Sequence, residues 1–573
     1  MASGKPRSLQ AALLSLNSQY VHSSLAPWCL RAGVFAFSKG NYEVRVLEGT
    51  VNEPLQSVAE RIIQENPRVL GVSCYIWNIK AVKALLPLIR AALPQCVIVL
   101  GGPEVSFCPK ETLEAMTEAD FLIAGEGELP FARLLDALAG LGSLEDVPGL
   151  CHREGNDIRL SQPFYHEEMP PSPYGPEYFN QLSGRIAYIE ASRGCPFACA
   201  FCLSGRERAR PQLAPLERVF SEIDALAHSG TRTVKFVDRT FNAAQARADT
   251  ILSHIIARSK EYPHGLTFHF EIAGDILAAS TMEIIQSAPA GLFQFEIGLQ
   301  SMDETTLTRV LRKTDMGRLI KNVRALIAGG NAHIHLDLIA GLPGEDLARF
   351  ARGFDEAYGL GPHALQLGFL KLIHGSAMRE DSQTYPASFE PEAPYTVTST
   401  PWMNGGDFDT LRLVERALDK LHNSGRFHHT LTWLTRGIQV SPFSLFLRLG
   451  RAITEAEAGG ALSLDDLTAL VLDNLTGWLP EDARIIRDLM LLDRLASVPS
   501  SVLPSCLKEA DARFFTCKRA LKARFPRKPG IIRAMGFPGG GGNNKVAFSD
   551  YEGKDPVTGR WPVRAIPLAR LRL

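Results

Sequence analysis

Three cysteines in the segment SRGCPFACAFC, namely Cys195, Cys199 and Cys202, carry the most specific chemistry in this chain. Their spacing is C-x3-C-x2-C within one short loop. Thiolates are soft ligands that suit iron–sulfur clusters. Three of them can hold three irons of a [4Fe-4S] cube and leave the fourth iron without a protein ligand. An iron kept open in this way is a place for substrate, by the logic that separates catalytic from structural zinc sites. A zinc knuckle would ask for a fourth ligand in C-x2-C or Cys/His spacing, and none lies beside the loop.

The loop follows an apolar strand, the first of six such segments after Arg185: IAYIEAS, TVKFVD, LTFHFEIA, LFQFEIGLQ, IHLDLIAG and ALQLGFLK. Helical stretches separate them, for example Leu216 to Ser229 and Met316 to Gly329. Six such units predict a partial (β/α) barrel over residues 185–385. Barrel chemistry sits at the C-terminal ends of the strands, where the cysteines fall. Residues 1–140 also alternate apolar strands with amphipathic helices from about residue 9 onward, which predicts a Rossmann-like, doubly wound parallel sheet. Ligands bind such a sheet at glycine-rich strand ends. The candidates there are Ser73-Cys74-Tyr75, Gly101-Gly102-Pro103 and Gly125-Glu126-Gly127-Glu128. Residues 141–184, rich in Pro, Gly and Tyr, read as an extended linker. Residues 386–505 carry helical periodicity, at Asp407 to Ser424 and Ser463 to Leu495, and residues 506–573 read as a basic, partly disordered tail. The fold class is therefore α/β with a helical C-terminal domain.

The chain has 573 residues, 45% apolar and 21% charged, with a formal net charge of −1. That balance creates no global field toward nucleic acid or membrane. No signal peptide and no spanning helix is read, so a cytoplasmic protein is expected. The ten cysteines then stay free, bind metal or do redox chemistry. Cys74 and Cys96 lie in apolar runs and read as core. His333 and His335 share a strand face, but no third ligand is near and hydrogen-bonded roles are the ordinary reading. The stretch Lys508 to Arg533 is basic and reads as a solvated helix face, with RNA, an acidic substrate or a reductase as alternatives.

With the cysteines goes Phe201, and C-x3-C-x-aromatic-C resembles the signature of the radical SAM superfamily. The resemblance implies that the open iron binds S-adenosyl-L-methionine (SAM) and that one electron cleaves it to a 5′-deoxyadenosyl radical. Later segments resemble the family in the same order. FVDRTFN places Asp238 near the SAM amino group. FEIGLQS places Glu296 and Gln300, and DLIAGLPGE places Asp337, on the strands that face SAM. LIHGSAM, with His374, resembles the turn after the sixth strand. Glu271 in HFEIAGD points to the same barrel end as Glu296, with a structural hydrogen-bonding role an equal reading for both.

A Rossmann-like domain ahead of that barrel resembles the cobalamin (B12)-binding class, and the whole-chain pattern is similar to a bacterial subfamily of it. Ser73, Gly101 and Gly102 then line the nucleotide tail. Tyr75 and Trp77 flank the corrin or pack in the core. The loop Tyr20-Val21-His22-Ser23-Ser24 has a histidine in register with the usual Asp-x-His-x-x-Gly loop but lacks its aspartate and glycine, so cobalt ligation by His22 stays open. The implied activity is methyl transfer to an unactivated carbon or phosphorus, with cofactors dividing the labour. The alternatives are radical cyclisation, oxidation or rearrangement, and a non-catalytic cobalamin or redox sensor. The implied partners are an electron donor such as flavodoxin or ferredoxin and a small-molecule, peptide or RNA substrate, with no membrane.

Overall fold

A computed structural model describes residues 9–207, 210–499, 502–508, 514–524, 534–536 and 545–571. The chain divides into two compact units. The first is Met1–Ile284 with Thr308–Lys313 and Leu370–Thr398; the second is Ile285–Leu307, Thr314–Phe369 and Ser399–Leu573.

The first unit opens with five parallel strands: β1 (Gln10–Asn17), β2 (Glu43–Thr50), β3 (Val69–Ser73), β4 (Val97–Gly101) and β5 (Phe121–Ile123). Their side chains alternate between two cores. Leu14, Leu16, Leu70, Val72, Ile98 and Leu100 pack with helices Leu55–Glu65 and Ile79–Ala92. Ala11, Leu13, Val69, Val99 and Ile123 pack with Val34 and with Phe131, Leu134 and Leu135 of helix Glu128–Leu138. Helices on both faces make the strands continuous apolar runs, as expected for a doubly wound sheet. Cys74 and Cys96 are buried within the first of these cores.

The expected linker holds more structure than was read from it. Two further strands, β6 (Leu150–Glu154) and β7 (Asp157–Arg159), form an antiparallel hairpin that extends the sheet in the order β2-β1-β3-β4-β5-β6-β7. Gly155 and Asn156 make its two-residue turn, and Gly155 takes the positive φ (+62°) that such a hairpin turn needs at its first central position. The surrounding prolines and glycines concealed it.

The same unit continues with β8 (Ile186–Ile189), β9 (Ser192–Arg193), β10 (Gln212–Leu213), β11 (Thr233–Phe236) and β12 (Thr267–Ile272). Strand β11 lies between β8 and β12, all parallel. The short pair β9 and β10 is antiparallel and brackets the cysteine loop. The second unit holds β13 (Phe293–Gln300), β14 (His333–Ala340) and β15 (Ala364–Phe369), again parallel and in chain order. All six expected barrel strands are thus present, three in each unit.

Helices Gly405–Ala417, Pro442–Glu457, Leu464–Trp478 and Ala483–Ser497 follow. The expected helix 463–495 is two helices, broken at Leu479 and Pro480, because proline disfavours helical geometry in the residue before it. Of the basic tail, 509–513, 525–533, 537–544 and 572–573 lie outside the described residues, Arg527, Lys528 and Arg533 among them. The described parts form helix Phe514–Arg524 and an antiparallel sheet of Ala534–Gly536, Lys545–Ser549 and Arg564–Pro567. Among the described residues no helix is long and apolar enough to cross a membrane.

Candidate active site

The cysteine loop begins where β9 ends. Cys195 and Cys199 are buried and Cys202 is half-buried, all as free thiols. Backbone bonds pin the loop: Ala200 N–H donates to Val310 O at 2.9 Å, and Met378 N–H to Ala200 O at 3.1 Å. Cys195 Sγ lies 3.4 Å from Thr240 Oγ1, and Arg312 Nη1 donates to Cys199 Sγ at 3.8 Å. Burial pushes the Cys199 thiol up; Arg312 opposes this, while Cys202 and Cys195 add to it as like charges. Phe201 sits half-buried beside them. The donor set is soft and sits on one pinned loop, which fits an iron–sulfur cluster by its chemistry; among the described residues no three His, Cys, Asp or Glu side chains are gathered as a ready-made metal site.

Asp238 follows β11 but turns toward the approach to the loop. Its carboxylate accepts the Ala191 N–H at 3.0 Å and the Ser192 Oγ–H at 2.5 Å. It is 3% exposed, and burial lifts its carboxyl to about 7 despite those bonds, with Glu190 adding to the rise. It stands as a prop beneath the loop. Glu271 is half-buried and pairs with Lys235 at 3.5 Å.

Three expected residues belong to the second unit. Glu296 and Gln300 share one face of β13, and Asp337 lies on β14, with His335 Nε2 at 3.2 Å. Gln300 has φ +67° at a break in the β13–β14 register. Such a left-handed bulge re-aims a side chain and costs conformational energy. Next to it, Ser301 Oγ donates to Glu345 at 2.6 Å. Glu345 is 1% exposed, and burial lifts it to about 7.

In the first unit, a cavity of about 670 Å³ opens at the C-terminal ends of the parallel strands. Its lining gathers Ser73, Tyr75, Gly101, Gly102, Gly125, Glu126 and Gly127 from the sheet with His22 beside them. On the other side it is lined by Tyr188, Glu190, Arg193 and Gly194, and by Ser204 beyond the third cysteine. This is the crevice where an open α/β sheet binds its ligand, and its size is that of a cofactor site. Two glycines are required by geometry. A Cβ at Gly102 (φ +108°) would meet Cys74 O at 2.5 Å, and one at Gly125 (φ +87°) would meet Phe164 O at 2.2 Å. Tyr75 and Trp77 stack at 4.3 Å and both line the cavity. Tyr20 does not join them: it is 75% exposed and lies against Arg185.

His22 is held from two sides. Its Nδ1 lies 2.6 Å from Tyr188 Oη, and its carbonyl accepts from Asn17 at 3.0 Å and from Arg185 at 2.5 Å. Burial, then Lys235 and Arg185, lower its pKa, which favours neutral imidazole. Tyr188 thus supplies an orienting partner where the aspartate is missing. The sequence reading missed Tyr188, Arg193, Glu128 as a functional residue, Glu190 and Arg312. Arg193 stands directly before Gly194-Cys195, which was the signal available for it. Arg193 and His166 outweigh burial and hold Glu128 well below the usual carboxylate range.

Residues 21–135 match the family model described as B12 binding domain, and residues 189–356 that described as Radical SAM superfamily. The chain thus carries a B12-binding domain and a radical SAM domain. Residues 383–536 match a family described as a protein of unknown function (DUF4080). The cobalamin-dependent radical SAM methyltransferase TokK of Streptomyces tokunonensis is 26% identical over 374 residues, 60% of this chain and 49% of TokK. The chain spans about half the length of the first curated relatives it matches, from 46% to 49%. Among solved structures, the radical S-adenosylmethionine methyltransferase TsrM of Kitasatospora setae, with cobalamin and a [4Fe-4S] cluster bound, has a TM-score of 0.54 at 18% identity, covering 66% of this chain and 75% of TsrM. The cobalamin-dependent S-adenosylmethionine radical enzyme OxsB, with aqua-cobalamin and S-adenosylmethionine bound, has a TM-score of 0.59 at 13% identity, covering 85% of this chain and 79% of OxsB. These two likenesses establish the fold.

Proposed function

We propose that this protein is a cobalamin-dependent radical SAM enzyme, a methyltransferase acting on an unactivated carbon or phosphorus centre. The observation that carries the reading is the shared cavity: the glycine strand ends of the B12-binding domain and the residues flanking the cysteine loop line one space. When bound, the [4Fe-4S] cluster supplies the electron that cleaves SAM to a 5′-deoxyadenosyl radical, and cobalamin supplies the transferred methyl group. Cys195, Cys199 and Cys202 would hold the cluster, beside which the amino and carboxylate groups of SAM would bind. Arg312, beside Cys199, offers the planar donor fork that suits that carboxylate. Asp238 holds the loop from below. On the corrin side, Gly101, Gly102 and Gly125 allow close backbone approach, and Tyr188 orients His22 for cobalt. The stacked pair Tyr75 and Trp77 offers an aromatic wall to the cavity. The electron donor is a flavodoxin or ferredoxin, and the protein acts in the cytoplasm.

Anaerobic reconstitution with iron, sulfide and hydroxocobalamin, followed by metal analysis, tests the cofactors; protein without cobalt under these conditions overturns the reading. Turnover of a candidate substrate with SAM carrying a deuterated methyl tests the reaction. A heavy methyl in the product, with S-adenosylhomocysteine and 5′-deoxyadenosine, is expected. Product formed with deoxyadenosine but without the methyl refutes methyl transfer. Cys199→Ala is expected to lose iron and to keep cobalamin.

A further inference from the structure

One ion cluster joins the glycine turn of the cavity to the cysteine loop. Arg193 stands two residues before Cys195. Its guanidinium meets Glu128 at 2.6 Å, Glu190 at 2.9 Å and Glu126 at 3.5 Å. The four side chains are between 5% and 22% exposed. A guanidinium so enclosed depends on its carboxylates, because losing one leaves charge buried without its partner. Two of those carboxylates come from the turn Gly125–Glu128, whose glycines line the cavity. The turn has no slack. Glu126 N–H donates to Phe164 O at 2.7 Å, and the Glu126 carboxylate accepts His166 N–H at 2.7 Å. On the far side, Ser192 and Arg193 are fixed by pairing with Gln212 and Leu213. Whatever fixes the turn fixes Arg193, and only Gly194 separates Arg193 from the first cysteine.

We propose that this cluster links the two cofactor sites: a corrin seated against the Gly125–Glu128 turn holds Arg193, and Arg193 holds the cysteine loop closed on its iron–sulfur cluster. The inference rests on the functional reading above and assigns Arg193, Glu126 and Glu128 a positioning role within it. The three irons held by the cysteines leave when the loop opens, and a ligand that favours the closed form slows their release by its differential affinity.

The test uses full-length protein reconstituted anaerobically with iron and sulfide. Release of iron to a ferrous chelator is timed with and without excess hydroxocobalamin. Wild-type protein is expected to release iron at least about fivefold more slowly with cobalamin bound, the lower end of ordinary linkages. Arg193→Gln, compared at cobalamin concentrations that saturate it, is expected to release iron at one rate with or without bound cobalamin. Glu126→Gln, which alters the longest contact and preserves the rest, keeps partial protection and guards against a misfolded Arg193 variant. Equal release rates in wild-type protein with and without bound cobalamin overturn the linkage, as does full protection in Arg193→Gln. Absence of cobalt from the wild-type protein is a different signal and overturns the functional reading itself, and the linkage with it.

Discussion

The substitution Asp238→Asn tests how the approach to the cysteine loop is held up. Asp238 is buried, and that burial lifts its carboxyl to about 7, against the favourable bonds from Ser192 and Ala191. In the unfolded chain the same group titrates near ~3.9. Between those values the unfolded chain has lost a proton that the folded protein keeps. Stability therefore falls as pH rises from about 4 to about 7. Each pH unit in that window costs about 1.4 kcal/mol, so the step from pH 5 to pH 7 removes about 2 kcal/mol, allowing for partial ionisation near the top. Asparagine has the same shape, still accepts the Ala191 N–H and does not ionise, so the variant lacks this slope. At roughly 2–4 °C per kcal/mol for a domain of ordinary size, the melting temperature of Asp238→Asn relative to wild type should rise by about 4–8 °C between pH 5 and pH 7. Scanning calorimetry on cluster-free protein at the two pH values measures this. An offset that stays constant across the range refutes a neutral buried carboxyl at this position.

Gly125→Ala should raise the Kd for hydroxocobalamin by at least about tenfold, since the new Cβ would meet Phe164 O at 2.2 Å and displace the turn that lines the cavity; unchanged affinity in a spectroscopic titration counts against the cavity as the corrin site. Protein loaded with Co(II) cobalamin should show nitrogen splitting in its electron paramagnetic resonance spectrum. The splitting should vanish in His22→Ala and weaken in Tyr188→Phe, where loss of an orienting partner costs about 10–100-fold in metal affinity; a spectrum identical in all three proteins removes His22 from cobalt. Asp493 accepts from His429 N–H, Thr430 N–H and Thr430 Oγ–H at 2.6, 3.0 and 2.7 Å. Asp493→Ala should therefore destabilise the second unit by about 3 kcal/mol by orphaning buried donors, and an unchanged melting transition would contradict this.

The cysteine spacing and the two strand rhythms were legible because they are local: a ligand triad fits in one loop, and buried parallel strands announce themselves as apolar runs. Side-chain direction was less legible. For Asp238, expected near the SAM amino group, the spacing did not foretell the bonds from the Ala191 backbone and the Ser192 hydroxyl, which follow from the pairing of β8 with β11. Tyr20 neighbours His22 in sequence, but the turn sends the two rings to different surroundings. The cluster around Arg193 joins residues up to 67 positions apart, and no spacing rule reaches that far. The hairpin of β6 and β7 lay within a stretch whose prolines and glycines read as linker, because composition outweighed a strand of only three residues.

The same hairpin decides where the molecule can be divided. Strand β5 is three residues long, and β6 covers its outer edge while burying Leu150 and Cys151. A fragment cut at residue 140 would expose that edge as a row of unpaired N–H and C=O groups, a template on which copies stack and precipitate. A fragment that runs through His166 keeps the edge covered and retains Phe164 against Gly125 and Glu126. The divisible corrin-binding half thus ends at that strap, well past the last helix of the doubly wound sheet.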